Sequence, residues 1–307
     1  MKYLLTLLVV LCSFGANAAL EQGYHTYNFT MPASTGQGGQ LMKIWYYKPS
    51  HYNANTPVLF VFHGRKRNAD EYSAQWKALA EKYNLMLLVP EFSNRLYPSV
   101  NGYNLGNVYH AVSRAELKGQ VVPKQINPKD QWSFTLPNKI FADFQHREKT
   151  NAKRYYAYGH GGGSQFLIRM LMFYPQADIK LAIVGNPGWY TLPTRDERWP
   201  YSIQGVDAIN AETLKHFFAL PITLMLGDHD DDFNHYLFRN APEPNRTGID
   251  GRFERGHYYF KYAEAVAKQL KTPFNWKEHT VVGAEHDNYI VQQDAIKVIM
   301  GDVNESK

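Results

Sequence analysis

Five consecutive residues, Gly159-His160-Gly161-Gly162-Gly163, separate a short aromatic strand pattern from a helical one. Strand, sharp turn and helix in that order form the layout of a nucleophile elbow, in which G-x-S-x-G lifts a serine above the C-terminal edge of a parallel sheet. The flanking glycines are small because strand and helix backbones nearly touch, and the apex residue sits in a strained conformation. A frame set on Gly159 and Gly163 puts the reactive position at Gly161, which carries no nucleophile. Further along, Asp230 follows an apolar run in Gly227-Asp228-His229-Asp230, and His286 follows the last strand pattern in Gly283-Ala284-Glu285-His286-Asp287. In the order elbow, acid, histidine, an imidazole takes the proton of a nucleophile while a carboxylate fixes its tautomer and stabilises the imidazolium. The G-x-x-D spacing from Gly227 favours Asp230 over Asp228, Asp231 and Asp232. With His229 and His235 the same acidic run has groups that suit a divalent ion, but it lacks the glycine and terminal glutamate of a calcium loop. It is read as a solvated acidic turn, with neither metal nor cofactor expected.

His63-Gly64 ends another apolar strand pattern, the expected place for half of an oxyanion hole. Backbone N–H groups of Arg65 and Gly162 would face a developing oxyanion, the second at a helix N-terminus where the dipole also helps. Ser164 is the nearest hydroxyl that could substitute for the missing nucleophile. Using it would move the frame by three residues, put Phe166 where a glycine is required, and place the serine inside the first helical turn. A serine bonding to backbone at a helix start is the simpler account. Tyr103, Trp132, Trp189 and Tyr190, with His63, are candidates to line an apolar cleft; each is also a candidate for plain core.

The elements that must position these groups alternate. Two antiparallel strands are predicted at 25–29 and 42–47. Pro57 to Phe62 is an unbroken apolar run, as in a parallel strand covered on both faces. Asp70 is expected to cap a helix to Tyr83, whose Tyr72, Trp76, Leu79 and Ala80 share a face, and a strand over 85–89 completes a right-handed crossover. A stretch over 91–137 has no sustained period and reads as a lid or binding insertion, as does 186–210. Asn138 is expected to cap a helix to about Lys149. Helices are predicted at 163–174, 212–218, 256–270 and 288–300, with strands at 181–184, 221–226 and 275–282. Doubly wound sheets collect reactive groups beyond the carboxyl ends of their strands, where Gly161, Asp230 and His286 all fall.

Residues 1–18 carry a lysine, an apolar run from Leu4 to Leu11 and Ala16-Asn17-Ala18, the pattern of a cleaved secretory leader. The expectation is a periplasmic or secreted product. The single cysteine, Cys12, leaves with the leader, so no disulfide is expected. The remaining 19–307 reads as one domain, and 44% apolar residues can bury a large core. No segment of the mature chain is long and apolar enough to span a membrane. A net charge of +5 comes from scattered basic residues. The one cluster, Arg65-Lys66-Arg67, is too short to signal nucleic acid, and the expected partner is a small acyl or ester ligand.

The motifs HGRKRNADEY at 63–72, PEFS at 90–93, YNLGN at 103–107, YGHGGGSQF at 158–166, NPGWY at 186–190, LGDHDDD at 226–232 and GAEHD at 283–287 resemble those of α/β-hydrolases. The likeness is to bacterial secreted esterases of the polyhydroxyalkanoate-depolymerase-like kind, and it spans nearly the whole mature chain. It implies an α/β-hydrolase fold and action on carboxylic esters, with Asp230 and His286 as acid and base. Relatives of that kind are expected to carry serine where this chain has Gly161, so the family nucleophile carries over onto nothing. Three readings stand: an impaired hydrolase using water or Ser164, a pseudo-hydrolase that binds an ester-like ligand, and an inactivated copy of a serine esterase.

Overall fold

The computed structural model describes residues 18–110, 113–117, 121, 125–231 and 251–305. The leader pattern, Asp232 and His235 lie outside them, apart from Ala18. Eight strands form one sheet in the order β1-β2-β4-β3-β5-β6-β7-β8. They are β1 Gly23–Thr30, β2 Leu41–Lys48, β3 Val58–Phe62, β4 Met86–Pro90, β5 Tyr155–His160, β6 Ile179–Gly185, β7 Ile222–Gly227 and β8 Trp276–Val281. β1 pairs β2 and β2 pairs β4 antiparallel; from β4 to β8 every pairing is parallel. This is the mostly parallel, doubly wound sheet of the α/β-hydrolase fold.

The two-residue period of the strands sorts their side chains onto two faces. Val58, Phe60 and Phe62 enter one core and Leu59 and Val61 the other. Among the described residues, six longer helices cover the faces: α1 Ala69–Lys82, α2 Leu136–Glu148, α3 Gly162–Phe173, α4 Ala211–Ala219, α5 Arg252–Gln269 and α6 Asn288–Glu305. Trp76 and Ala80 of α1 pack with Val291, Ala295 and Ile299 of α6 on one face. Phe141 of α2, Phe166 of α3, Phe217 of α4 and Tyr259 of α5 share the other. Among the described residues, no helix is long and apolar enough to cross a membrane.

Both predicted caps are displaced. α1 begins at Ala69 after Asn68, so Asp70 lies in the first turn. α2 begins at Leu136 after Thr135. Asn138 sits inside that helix, where its side-chain oxygen accepts from the Tyr155 hydroxyl at 2.8 Å and from the Asp178 N–H at 3.2 Å.

Every residue of α3 is buried, which is possible because the 91–137 insertion packs over it. Phe92, Tyr103 and Phe134 close around Phe166 with ring centroids 4.9, 5.0 and 5.2 Å away. Arg67 pins this cover by donating to the carbonyls of Phe92, Tyr97 and Ser99. The basic cluster at 65–67 thus directs one of its guanidinium groups into loop carbonyls.

Candidate active site

At the end of β5 the chain turns sharply into α3, and Gly161 occupies the apex at φ 54° and ψ −109°, immediately before the first helical residue. A non-glycine residue is strained in such a conformation. The turn is tight enough that Cβ atoms on the flanking glycines would strike backbone. At Gly159 the nearest atom would be 2.5 Å away, in Gly163, and at Gly163 it would be the Phe62 oxygen at 1.9 Å. At Gly161 the nearest atom is instead a side chain, with His286 Nε2 at 3.0 Å.

His286 is held by the carboxylate after β7. Its Nδ1 lies 2.7 Å from Asp230 Oδ2. That contact assigns the ring proton to Nδ1 and leaves Nε2 as an acceptor facing the apex. The His286 side chain is 38% exposed and that of Asp230 only 2%, so the imidazole reaches solvent and the carboxylate does not. Asp230 Oδ1 accepts from Arg252 Nη1 at 2.7 Å, a contact buried on both sides. The neighbouring acids differ: Asp228 accepts from the Gly283 N–H at 2.6 Å, tying the two strand-end loops together, and Asp231 is exposed. Among the described residues, no group of three or more His, Cys, Asp or Glu side chains is arranged to hold a metal ion.

His160 packs its ring against His286 at 4.6 Å. It is buried, and burial first, then the nearby His286 and Arg252, hold its imidazole well below the ordinary histidine range. Asn186, left-handed at φ 45°, spans both functional loops. Its Oδ1 accepts from the Gly227 N–H at 2.8 Å, and its Nδ2 donates to the Glu285 carbonyl at 3.4 Å. Arg252 and Asn186 belong to the site, yet neither was singled out from sequence. Arg252 has no local signature, since the fold alone carries the start of α5 to Asp230, and Asn186 is visible only as the first residue of the NPGWY motif.

The loop after β3 meets the start of α3 at close range. A Cβ on Gly162 would lie 2.6 Å from the Arg65 nitrogen, so the two main-chain groups expected to hold an oxyanion are neighbours. His63 supports them from inside. It is buried, Nδ1–H donates to the Gly64 carbonyl at 3.0 Å, and Nε2 accepts from the Phe92 N–H at 3.0 Å. Burial lowers its pKa to about 4.

His63, Tyr103, Trp132 and Tyr190, expected as cleft-lining residues, are instead buried. Tyr103 is fully buried and its hydroxyl donates to the His63 carbonyl at 2.8 Å. Trp132 is buried against Phe173, with Nε1 donating to the Asn127 carbonyl. Tyr190 stacks on Tyr259 at 4.2 Å. Packing around α3 and α5 covers most of these rings. Trp189 is partly exposed, and the buried guanidinium of Arg169 sits 4.0 Å from its ring. Ser164 is fully buried and donates to the Gly161 carbonyl at 2.7 Å, so its hydroxyl is turned to the helix backbone.

Among solved structures, the chain is similar to poly(aspartic acid) hydrolase-1 from Sphingomonas sp. KT-1, with 30% identity and a TM-score of 0.82, over 92% of this chain and 100% of that one. It is similar also to LpqC, a poly(3-hydroxybutyrate) depolymerase from Bordetella parapertussis, with 27% identity and a TM-score of 0.78, over 92% and 90%. An IroE-like serine hydrolase from Shewanella oneidensis shares the fold, with 11% identity and a TM-score of 0.54, over 91% and 80%. No protein-family model and no curated protein sequence matches the chain.

Proposed function

The chain belongs to the α/β-hydrolases, in the group that includes poly(aspartic acid) hydrolase-1 and the LpqC depolymerase, and from that premise we propose a carboxylic-ester hydrolase site impaired by the loss of its nucleophile. One observation carries this reading: a Cβ placed on Gly161 would stand 3.0 Å from His286 Nε2, whose other nitrogen is already bonded to Asp230. Base and acid stand ready around a position that has no hydroxyl to offer.

With Gly161 in place, water is the available nucleophile. Hydrogen-bonded to His286 Nε2, it loses its proton to the imidazole as its oxygen attacks the ester carbonyl. The N–H groups of Arg65 and Gly162 hold the resulting oxyanion. On collapse, the carbon–oxygen bond to the alcohol breaks and the imidazolium returns the proton to the leaving alkoxide, giving acid and alcohol. Serine proteases stripped of a triad member keep about 10³–10⁴-fold catalysis over water through binding and the oxyanion hole, so slow turnover is the expected native behaviour. Ser164 plays no part in this scheme.

The alternative is a pseudo-hydrolase that binds an acyl or ester ligand without turning it over, and it draws on the same absent hydroxyl. An inactivated copy of a serine esterase would behave alike in vitro. In all three the partner is a small acyl or ester molecule, and no cofactor takes part. Export to the periplasm or beyond completes the proposal; the amino terminus of the product recovered outside the cytoplasm is expected to be Ala19.

The deciding experiment runs p-nitrophenyl esters of increasing chain length on native protein and on Gly161→Ser side by side. Poly(3-hydroxybutyrate) and poly(aspartic acid), the polymers named for the two relatives, are included. Weak native turnover that rises with the serine supports the impaired hydrolase. Native silence with thermal stabilisation by an ester supports the binding protein, and equal activity in both proteins removes Gly161 from the nucleophile position.

A further inference from the structure

We infer that Arg252 is a positioning residue for the base, holding the Asp230 carboxylate and, through it, the imidazole of His286. The inference rests on the reading of Asp230 and His286 as acid and base, and adds Arg252 to that pair. Asp230 is the buried centre of a relay with His286 on Oδ2 and Arg252 on Oδ1, each at 2.7 Å. The start of α5 is fastened to the same residue through its main chain, since the Phe253 N–H donates to the Asp230 carbonyl at 3.4 Å. The two side-chain contacts fix the plane of the carboxylate, which in turn fixes the imidazole that faces Gly161.

The contact also has an electrostatic consequence. A buried carboxylate beside a histidine favours the imidazolium, and an imidazolium has no lone pair with which to take a proton. A guanidinium stays charged across the working range. Bonded to the opposite carboxylate oxygen, it offsets part of the negative charge beside His286. The other groups around His286 do less. His160, packed on its ring, is held neutral by burial. Glu285 and Asp287 flank His286 in its own loop and are exposed. Asp228, on the loop after β7, is engaged by the Gly283 N–H.

The test reads the His286 ring in native protein by NMR titration, so it requires no turnover and stands whatever the activity of Gly161→Ser. Arg252→Gln, which removes the charge and keeps a donor, is expected to raise the His286 midpoint by about one pH unit. Arg252→Lys, which keeps the charge, is expected to hold the midpoint within a few tenths of a unit of native. In the Gly161→Ser background, the acid limb of the kcat/KM profile should move upward with Arg252→Gln by the same amount. A role confined to packing moves neither midpoint. An unchanged midpoint in folded Arg252→Gln, or a shift of a unit or more in Arg252→Lys, overturns the assignment.

Discussion

Adding one methyl group to each elbow glycine in turn tests the geometry on which the site depends. At Gly161 the alanine would keep φ near 54°, a conformation that costs a non-glycine residue about 1–3 kcal/mol. Its Cβ would meet only His286 Nε2 at 3.0 Å, and that ring is on a partly exposed side chain able to retreat by a few tenths of an ångström. Restricting the unfolded chain returns about 0.4–1 kcal/mol, so the net loss is at most about 2.6 kcal/mol. For a chain of this size that lowers Tm by no more than roughly 10 °C.

Gly163→Ala is a different perturbation. Its Cβ would lie 1.9 Å from the Phe62 oxygen and 2.8 Å from the His63 oxygen. Both belong to the backbone around the end of β3, which cannot move without opening the sheet, so the loss should exceed about 4 kcal/mol. Gly159→Ala, with contacts of 2.5 Å to Gly163, falls in the same severe class. Differential scanning calorimetry of the three variants, with urea unfolding as a second probe, gives the ranking. Pairing Gly161→Ala with His286→Ala removes the side-chain contact and leaves the backbone strain, so most of the loss should persist. An alanine at 161 that stabilises the protein, or one at 163 tolerated as well as at 161, would refute the apex assignment.

Two further outcomes follow from buried groups. His63 titrates near pH 4 in the fold and His160 well below its ordinary value. Between about pH 6.5 and pH 4 the unfolded chain therefore binds protons that the folded chain does not. Stability from these histidines is complete above the upper value and declines as pH falls, by roughly 3 kcal/mol for His63 by pH 4. Urea unfolding at pH 7.5 and 5.0 should show the drop, and His63→Gln should flatten the slope by about one proton; equal stability at both pH values contradicts it. Ser164→Ala should cost about 1–2 kcal/mol through the lost bond to the Gly161 carbonyl and leave ester turnover of native and Gly161→Ser protein unchanged. A large fall in native turnover would instead mark Ser164 as the nucleophile.

The architecture was legible because burial on both faces writes itself as unbroken apolar runs. Val58–Phe62, Met86–Pro90 and Ile222–Gly227 are strands within a residue or two of where the pattern put them. The elbow was legible for a related reason, since glycines crowd where two backbones meet. Caps were less so: Asn138 has the chemistry of a cap, but Tyr155 and Asp178 recruit its side chain from elsewhere in the fold. Aromatic side chains gave no direction at all. Tyr103 and Trp132 read equally well as cleft or core, and only the position of α3 beneath the 91–137 cover decided for core. Arg252 was invisible because its role exists only where the start of α5 reaches the end of β7, a juxtaposition with no counterpart in local sequence.

The central claim is that the site lacks only a hydroxyl at the turn after β5. It is tested most directly by reacting a fluorophosphonate with native protein and with Gly161→Ser, and locating the adduct by mass spectrometry. The account predicts no adduct on native protein and about one per folded molecule at position 161 in the variant, lost again when His286→Ala is added. A labelled native chain, or a folded serine variant that stays inert, would contradict it.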